Sequence, residues 1–357
     1  MIKLLRKAID GLSERTKTGP LQFIHPVFEA VDAALFDPDY AAAQAPFIRD
    51  ALNAKRYVFS VVIAAMPILA LSTWFYGYKV PLMLFLAYGL GALVEGIFAW
   101  SRKETISEGF LVTGILFVLI FPVTTPLWIF SIAVVFGIIF GKEVYGGVGN
   151  NIFNPALVGR LFVFISWPAA VSPPEYLKPA GRLLSYVGTG VDAITTASPL
   201  ALFKTGNIAD FHTLFVGPRA GCIGEISSVL IIAGGLYLIA VRVVNWRTIF
   251  ALFTAVAAAH FALAGFAGKM MPLSLEFFGG GLLLGAFFMA SDPVTGPSSK
   301  MSKYIYGAFI GACVVIFRRF TPLVESVMFS ILLANAVVPL IDAGSRHFRK
   351  LKEKTYV

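Results

Sequence analysis

Residues 142–168 read KEVYGGVGNNIFNPALVGRLFVFISWP. A polar, glycine-rich segment interrupts an otherwise hydrophobic stretch, and Asn154-Pro155 closes the interruption. In lipid every backbone polar group needs a partner. Such a break is therefore tolerated only where the backbone is buried in protein or lines a cavity. The stretch reads as a re-entrant turn in which Asn151 and Asn154 cap backbone groups. Gly146, Gly147 and Gly149 permit a close backbone approach. GGVG here lacks the strand-then-helix context of a dinucleotide fingerprint, which excludes a Rossmann reading.

The rest of the chain sets that turn in a membrane. The 357 residues are 57% hydrophobic and 14% charged, against about 25% charged in soluble domains. Mean hydropathy is +0.79. Long apolar runs point to an integral membrane protein, so the net charge of +9 calls for no nucleic acid partner. Two cysteines, Cys222 and Cys313, supply neither a four-thiolate cluster nor a c-type haem attachment. The first twenty residues lack an apolar core and read as a basic cytoplasmic segment rather than a signal peptide.

Apolar windows predict about ten spans, near 57–77, 81–101, 108–122, 126–141, 154–169, 222–242, 247–267, 273–290, 303–318 and 322–342. Several are short and end in Gly or Pro, as interrupted helices do. With both termini inside, inner segments hold 20 Lys and Arg and outer segments hold eight. That bias supports an even number of spans. It divides the chain into a cytoplasmic segment 1–56, a membrane domain 57–342 and a basic cytoplasmic tail 343–357. The loop 170–221 then lies outside. PVTTP (122–126) ends the third span and PVTGP (293–297) the eighth, on opposite sides. The expectation is an all-α membrane protein built from two inverted five-helix repeats.

The outer loop contains VDAITTASPLALFK (191–204). Ser198-Pro199 is a good helix start, with Ser at the cap and Pro at the first position. The same geometry would suit a phosphate on Ser198, because a helix N-terminus favours an anion.

Asp192-Ala-Ile-Thr195-Thr196-Ala197-Ser198 resembles the flavin-attachment motif D-x-x-[ST]-x-A-[ST]. That motif belongs to the B and D membrane subunits of the sodium-pumping NADH:quinone reductase and of the related Rnf complex. Ser198 replaces the usual Thr, and Ala193 and Thr196 stand where glycines are common. Residues 142–168, ISEGFLVTGILF (106–117), GEIS (224–227), FFMASDPVT (287–295) and LLANAVVPLID (332–342) resemble the same family in order. The long N-terminal segment favours the B type of the reductase; the short total length leans towards the D type of the Rnf complex.

The resemblance implies a urea-transporter-like fold in a bacterial inner membrane, within a multi-subunit complex. It implies FMN esterified through its phosphate to Ser198 by a flavin transferase, with Asp192 and Thr195 in the motif and Thr196 as the fallback site. It implies a second, noncovalent riboflavin held by Asn151 and Asn154, whose amides offer both donor and acceptor. Quinone would sit near Gly91 and Glu95. Na+ passage would use Glu95, Glu225, Asp292 and Asp342.

On residue chemistry alone, Glu95 lies deep in its span, where a carboxylate is expensive and functional by default. The other acids lie near span ends, where a solvated carboxylate is the ordinary case. His260, mid-span among alanines, reads as a core histidine. A channel or carrier without redox chemistry would share the interrupted helices. It would have no use for a flavin-attachment motif facing outwards.

Overall fold

The computed structural model describes residues 54–103, 109–173, 176–177, 195–204, 210–264, 271–321 and 325–355. Residues 1–53 and Asp192 lie outside them.

Helices occupy the sequence-predicted windows: α1 Ala54–Tyr76, α2 Lys79–Arg102, α3 Gly109–Ile120, α4 Leu127–Gly141, α5 Pro155–Ser166, α6 Ser228–Ala240, α7 Trp246–Ala262, α8 Leu273–Phe278, α9 Lys300–Phe320 and α10 Ser326–Thr355. Five segments are long and apolar enough to cross a membrane: Tyr57–Tyr76, Lys79–Arg102, Leu127–Tyr145, Lys300–Phe320 and Ser326–Phe348. Helices α3, α5, α6 and α7 are apolar but shorter, at 12 to 17 residues. This is a multi-pass, all-helical membrane protein. The described residues also hold one short antiparallel pair, β1 (Tyr176–Leu177) with β2 (Thr195–Thr196), which fixes the approach to Ser198.

Local chemistry sets where the helices start. Asn154 caps α5, its Oδ1 accepting from Ala156 N at 3.0 Å, with Pro155 at the first helical position. Asn245 caps α7 and Ser299 caps α9 in the same way. Two windows differ from expectation. The window 273–290 is one hydrophobic run, yet α8 stops at Phe278 and a second helical piece covers Leu282–Met289. Gly280 and Gly281 take φ of +59° and +69° between them, a conformation side chains resist. The window 222–242 begins as a single turn, Ile223–Glu225, and α6 starts only at Ser228. Helix α10 runs on past Asp342, so helix and basic tail are continuous to Thr355.

Small residues bring the helices together. A Cβ on Gly159 of α5 would stand 2.2 Å from the Ala133 carbonyl oxygen of α4. A Cβ on Gly307 of α9 would stand 2.2 Å from the Thr248 carbonyl oxygen of α7, and one on Gly311 2.4 Å from that of Leu252. This is small-xxx-small packing, which lets backbones touch where lipid gives no hydrophobic drive. Gly307→Ala therefore has to push α7 and α9 apart. The full chain carrying it is expected to melt several degrees lower, a shift readable by thermal unfolding in detergent; an unchanged melting point would contradict the packing.

The N-terminal and C-terminal helices meet through α1 and α6. Gly234 lies against the Ala64 carbonyl, and Ser72 Oγ donates to the Ile223 carbonyl at 2.7 Å. Ile223 N donates to the Phe121 carbonyl at 3.0 Å, so the end of α3 meets the turn before α6. Outward-facing aromatics such as Trp74, Phe85, Trp100 and Trp128 suit lipid and its interfaces.

Candidate functional site

Two cavities lie along α5, one at its N-terminal cap Asn154 and one at Arg160. The first, of about 260 Å³, is lined by Tyr57, Thr113, Lys142, Asn151, Asn154 and Asp292, among others. Asn151 Nδ2 donates to the Phe153 carbonyl at 3.2 Å, and Asn154 Oδ1 caps α5. Both amides therefore hold the re-entrant turn. Each also keeps one polar atom, Asn151 Oδ1 and Asn154 Nδ2, with no hydrogen bond among the described residues. One acceptor and one donor are left for a ligand.

Lys142 connects this cavity to Glu95. Its Nζ lies 2.5 Å from Glu95 Oε1, with both side chains buried. Gly91, one turn before Glu95, is buried against Ile138 of α4. Arg102 pairs with Glu143 at 2.9 Å beside them.

Asp292 also lines an adjoining space of about 510 Å³, with Arg242, Arg247 and Lys303. Its carboxylate accepts from Val294 N at 3.1 Å and Thr295 Oγ1 at 3.3 Å. Loss of water pushes the Asp292 carboxyl above its usual range, against those two bonds. Asp342 Oδ2 accepts from Ser298 N and Ser298 Oγ, at 3.2 and 2.9 Å. The loop 292–299 thus joins Asp292 to Asp342.

The second cavity, of about 30 Å³, is lined by Arg160, Tyr176, Ser198, Arg219, Cys222, Glu225 and Glu325, among others. Ser198 is 9% exposed, and its Oγ accepts from Ala201 N at 3.3 Å, capping the short helix Pro199–Lys204. Arg160 donates to Cys222 Sγ at 3.3 Å and to Glu325 Oε1 at 2.5 Å. Burial is the main reason the Tyr176 phenol lies above its usual range, with the nearby Glu325 carboxylate adding to it. Arg160 lies six residues into α5, so about 9 Å of helix rise separates it from Asn154.

Glu225 therefore stands with Ser198, while Glu95 reaches the Asp292 cavity through Lys142 and Asp342 is tied to the Asp292 loop through Ser298. The side chains of Thr195 and Thr196 lie outside the described residues. His260 is buried, 3.5 Å from Glu276 and 3.4 Å from Arg319, as a core histidine would be. Sequence reasoning missed Lys142 as the partner of Glu95, Glu325 as the partner of Arg160, and the fully buried pair Arg318–Glu276 at 3.0 Å. Each of these acids lies in or beside an apolar helix, which is the signal to search for an opposite charge.

Interrupted helices around two cavities, each lined by a member of a buried ion pair, define a multi-pass membrane protein with sites built into its core. Residues 41–349 match the model of the NQR2, RnfD, RnfE family. The chain belongs to that family. It is 30% identical to the B subunit of the Na(+)-translocating NADH-quinone reductase of Ectopseudomonas mendocina, over 91% of this chain and 92% of the relative. It is 30% identical to the protein of the same name from Azotobacter vinelandii, over 95% and 96%. Over a shorter span, 71% of this chain and 63% of the relative, it is 35% identical to that of Pseudoalteromonas atlantica.

Proposed function

We propose that this chain is the flavin-bearing membrane subunit of a Na+-translocating NADH:quinone oxidoreductase in a bacterial inner membrane. The observation that carries the reading is the convergence at the 260 Å³ cavity. Asn151 and Asn154 from one turn and Asp292 from a distant loop line it together, and Lys142 ties Glu95 to it. The names of these relatives favour the B type of the reductase over the D type of the Rnf complex.

Riboflavin fits the 260 Å³ cavity by its donor set, for which Asn154 Nδ2 would donate and Asn151 Oδ1 would accept. Covalent FMN would be carried at the smaller cavity by the Ser198 hydroxyl, beside Arg160 and Arg219 and their carboxylate neighbours Glu325 and Glu225. Flavins supply the one-electron and two-electron chemistry, and the protein positions and tunes them. With the two cavities at Asn154 and Arg160 along α5, electrons would pass inwards from Ser198 towards Asn154. Quinone would be met near Gly91 and Glu95. Na+ would move between Glu225 and the Glu95, Asp292 and Asp342 group. Other subunits of the complex accept hydride, and a flavin transferase attaches the FMN.

The ten-helix inverted repeat belongs to the same proposal, with α3 and the broken Leu273–Met289 segment as its interrupted members. Helix α4 ends at the Lys142 cavity, whereas α9 begins beside it after Asp292. PVTTP and PVTGP, each just before one of these helices, therefore lie at opposite ends, which supports inversion.

The test is flavin content. Acid extraction of the purified complex should release one noncovalent flavin per chain. Asn151→Leu should lower retention at least tenfold, the order expected when a buried polar contact is lost. Undiminished flavin in Asn151→Leu would place riboflavin elsewhere.

A further inference from the structure

We infer that the 510 Å³ cavity at the starts of α7 and α9 binds the phosphate headgroup of an anionic phospholipid. This goes beyond the flavin reading and does not rest on it.

Arg242, Arg247 and Lys303 line this cavity with a single carboxylate, Asp292. Among the described residues, no Asp or Glu side chain lies within 4 Å of any of the three cations. Asp292 is held instead by Val294 N and Thr295 Oγ1. The cavity therefore carries an excess of positive charge. Helix ends add to it. The cap and first turn of α7 (245–248) form part of the wall, as do Ser298 and Lys303 around the start of α9. A helix N-terminus favours an anion, and two meet here. Arg242 follows the end of α6 by two positions and has φ of +63°, where glycine is the usual residue. An arginine held there brings its charge to the cavity wall.

The surroundings select the source of the phosphate. The membrane-crossing segment Lys300–Phe320 starts at this cavity, which therefore lies at the level of a membrane boundary. Trp246 belongs to the cavity wall and is exposed. Its ring lies 6.2 Å from that of exposed Phe250, one turn further along α7, and 6.3 Å from that of Tyr304 on α9. Arg247 Cζ stands 5.0 Å from the centre of the same Trp246 ring. Charge and exposed apolar surface thus adjoin. A ligand with an anion at one end and acyl chains at the other matches both; inorganic phosphate matches only the first. Basic pockets between membrane helices hold acidic headgroups in this way, and tryptophan favours the same depth. The volume falls within the range of about 300–1,000 Å³ common for small-molecule sites.

The experiment titrates the purified complex in detergent with dioctanoylphosphatidylglycerol, dioctanoylphosphatidylcholine or inorganic phosphate at constant ionic strength. The readout is the temperature at which this chain leaves solution. Phosphatidylglycerol should stabilise the wild-type chain saturably, at concentrations about tenfold below those needed of the other two. Arg242→Gly removes one charge and gives the positive φ to the residue that suits it, so this variant should fold at least as well. It should nonetheless bind phosphatidylglycerol about tenfold more weakly, the cost of one charge-assisted hydrogen bond. Lys303→Gln should do the same. Equal responses of the wild-type chain to the two lipids overturn the inference. A phosphatidylglycerol response undiminished in both variants also overturns it, because the lipid then binds elsewhere on the complex. Inorganic phosphate as effective as phosphatidylglycerol would keep the anion and overturn the lipid. Loss of another subunit from the Arg242→Gly complex, with the lipid response unchanged, would give the cavity to an acidic partner surface instead.

Discussion

Lys142→Met is expected to destabilise the protein by about 3–5 kcal/mol, because it leaves the Glu95 carboxylate buried with no counter-charge. The Lys142–Glu95 contact, at 2.5 Å, lies between side chains that are 3% and 4% exposed, so water cannot take the place of the lost ammonium. Glu95→Gln alone should cost a similar amount by orphaning Lys142. The double variant Glu95→Gln/Lys142→Met removes both charges together. It should recover most of the loss, since replacing a whole buried pair is often close to neutral. The double variant then isolates function from folding. If Glu95 serves Na+ passage, the folded double variant turns over quinone without stimulation by sodium. Sodium stimulation equal to that of wild type would take Glu95 out of the cation route and leave the pair a purely structural one.

Ser198→Ala should abolish covalent flavin on this chain while leaving it inserted and folded. The lost Oγ accepts only one hydrogen bond, from Ala201 N, in a helix of six residues. Loss of a cap costs about 1 kcal/mol, too little to unfold a chain of this size. Ser198→Thr keeps a nucleophilic hydroxyl and should keep the flavin. Covalent flavin retained in Ser198→Ala would move the site, with Thr196 the next hydroxyl to test.

Much of this was legible in the sequence, for physical reasons. Apolar runs near span length survive any packing arrangement, so the windows from 57–77 to 322–342 all carry helices. Asn154-Pro155 and Ser198-Pro199 are local signals, and both cap helices as such pairs do. Gly279, Gly280 and Gly281 were visible as a triplet, yet hydropathy alone reads through them as one span. The break there needs positive φ at Gly280 and Gly281, which only the fold shows. The ion pairs were the least legible part. Glu95 and Lys142 are 47 positions apart, and Arg160 and Glu325 are 165 apart. No periodicity links residues at such separations; only the packing of α2 on α4, and of α5 on the start of α10, brings them together.

The central claim is that this chain carries flavin on Ser198. The most direct test is in-gel flavin fluorescence of the chain from its native host after denaturing electrophoresis, followed by peptide mass analysis. The account predicts a fluorescent band and an FMN phosphoester mass on the peptide that holds Ser198. A dark band, with the flavin transferase present and active, would contradict it and leave Ser198 as a helix cap and nothing more.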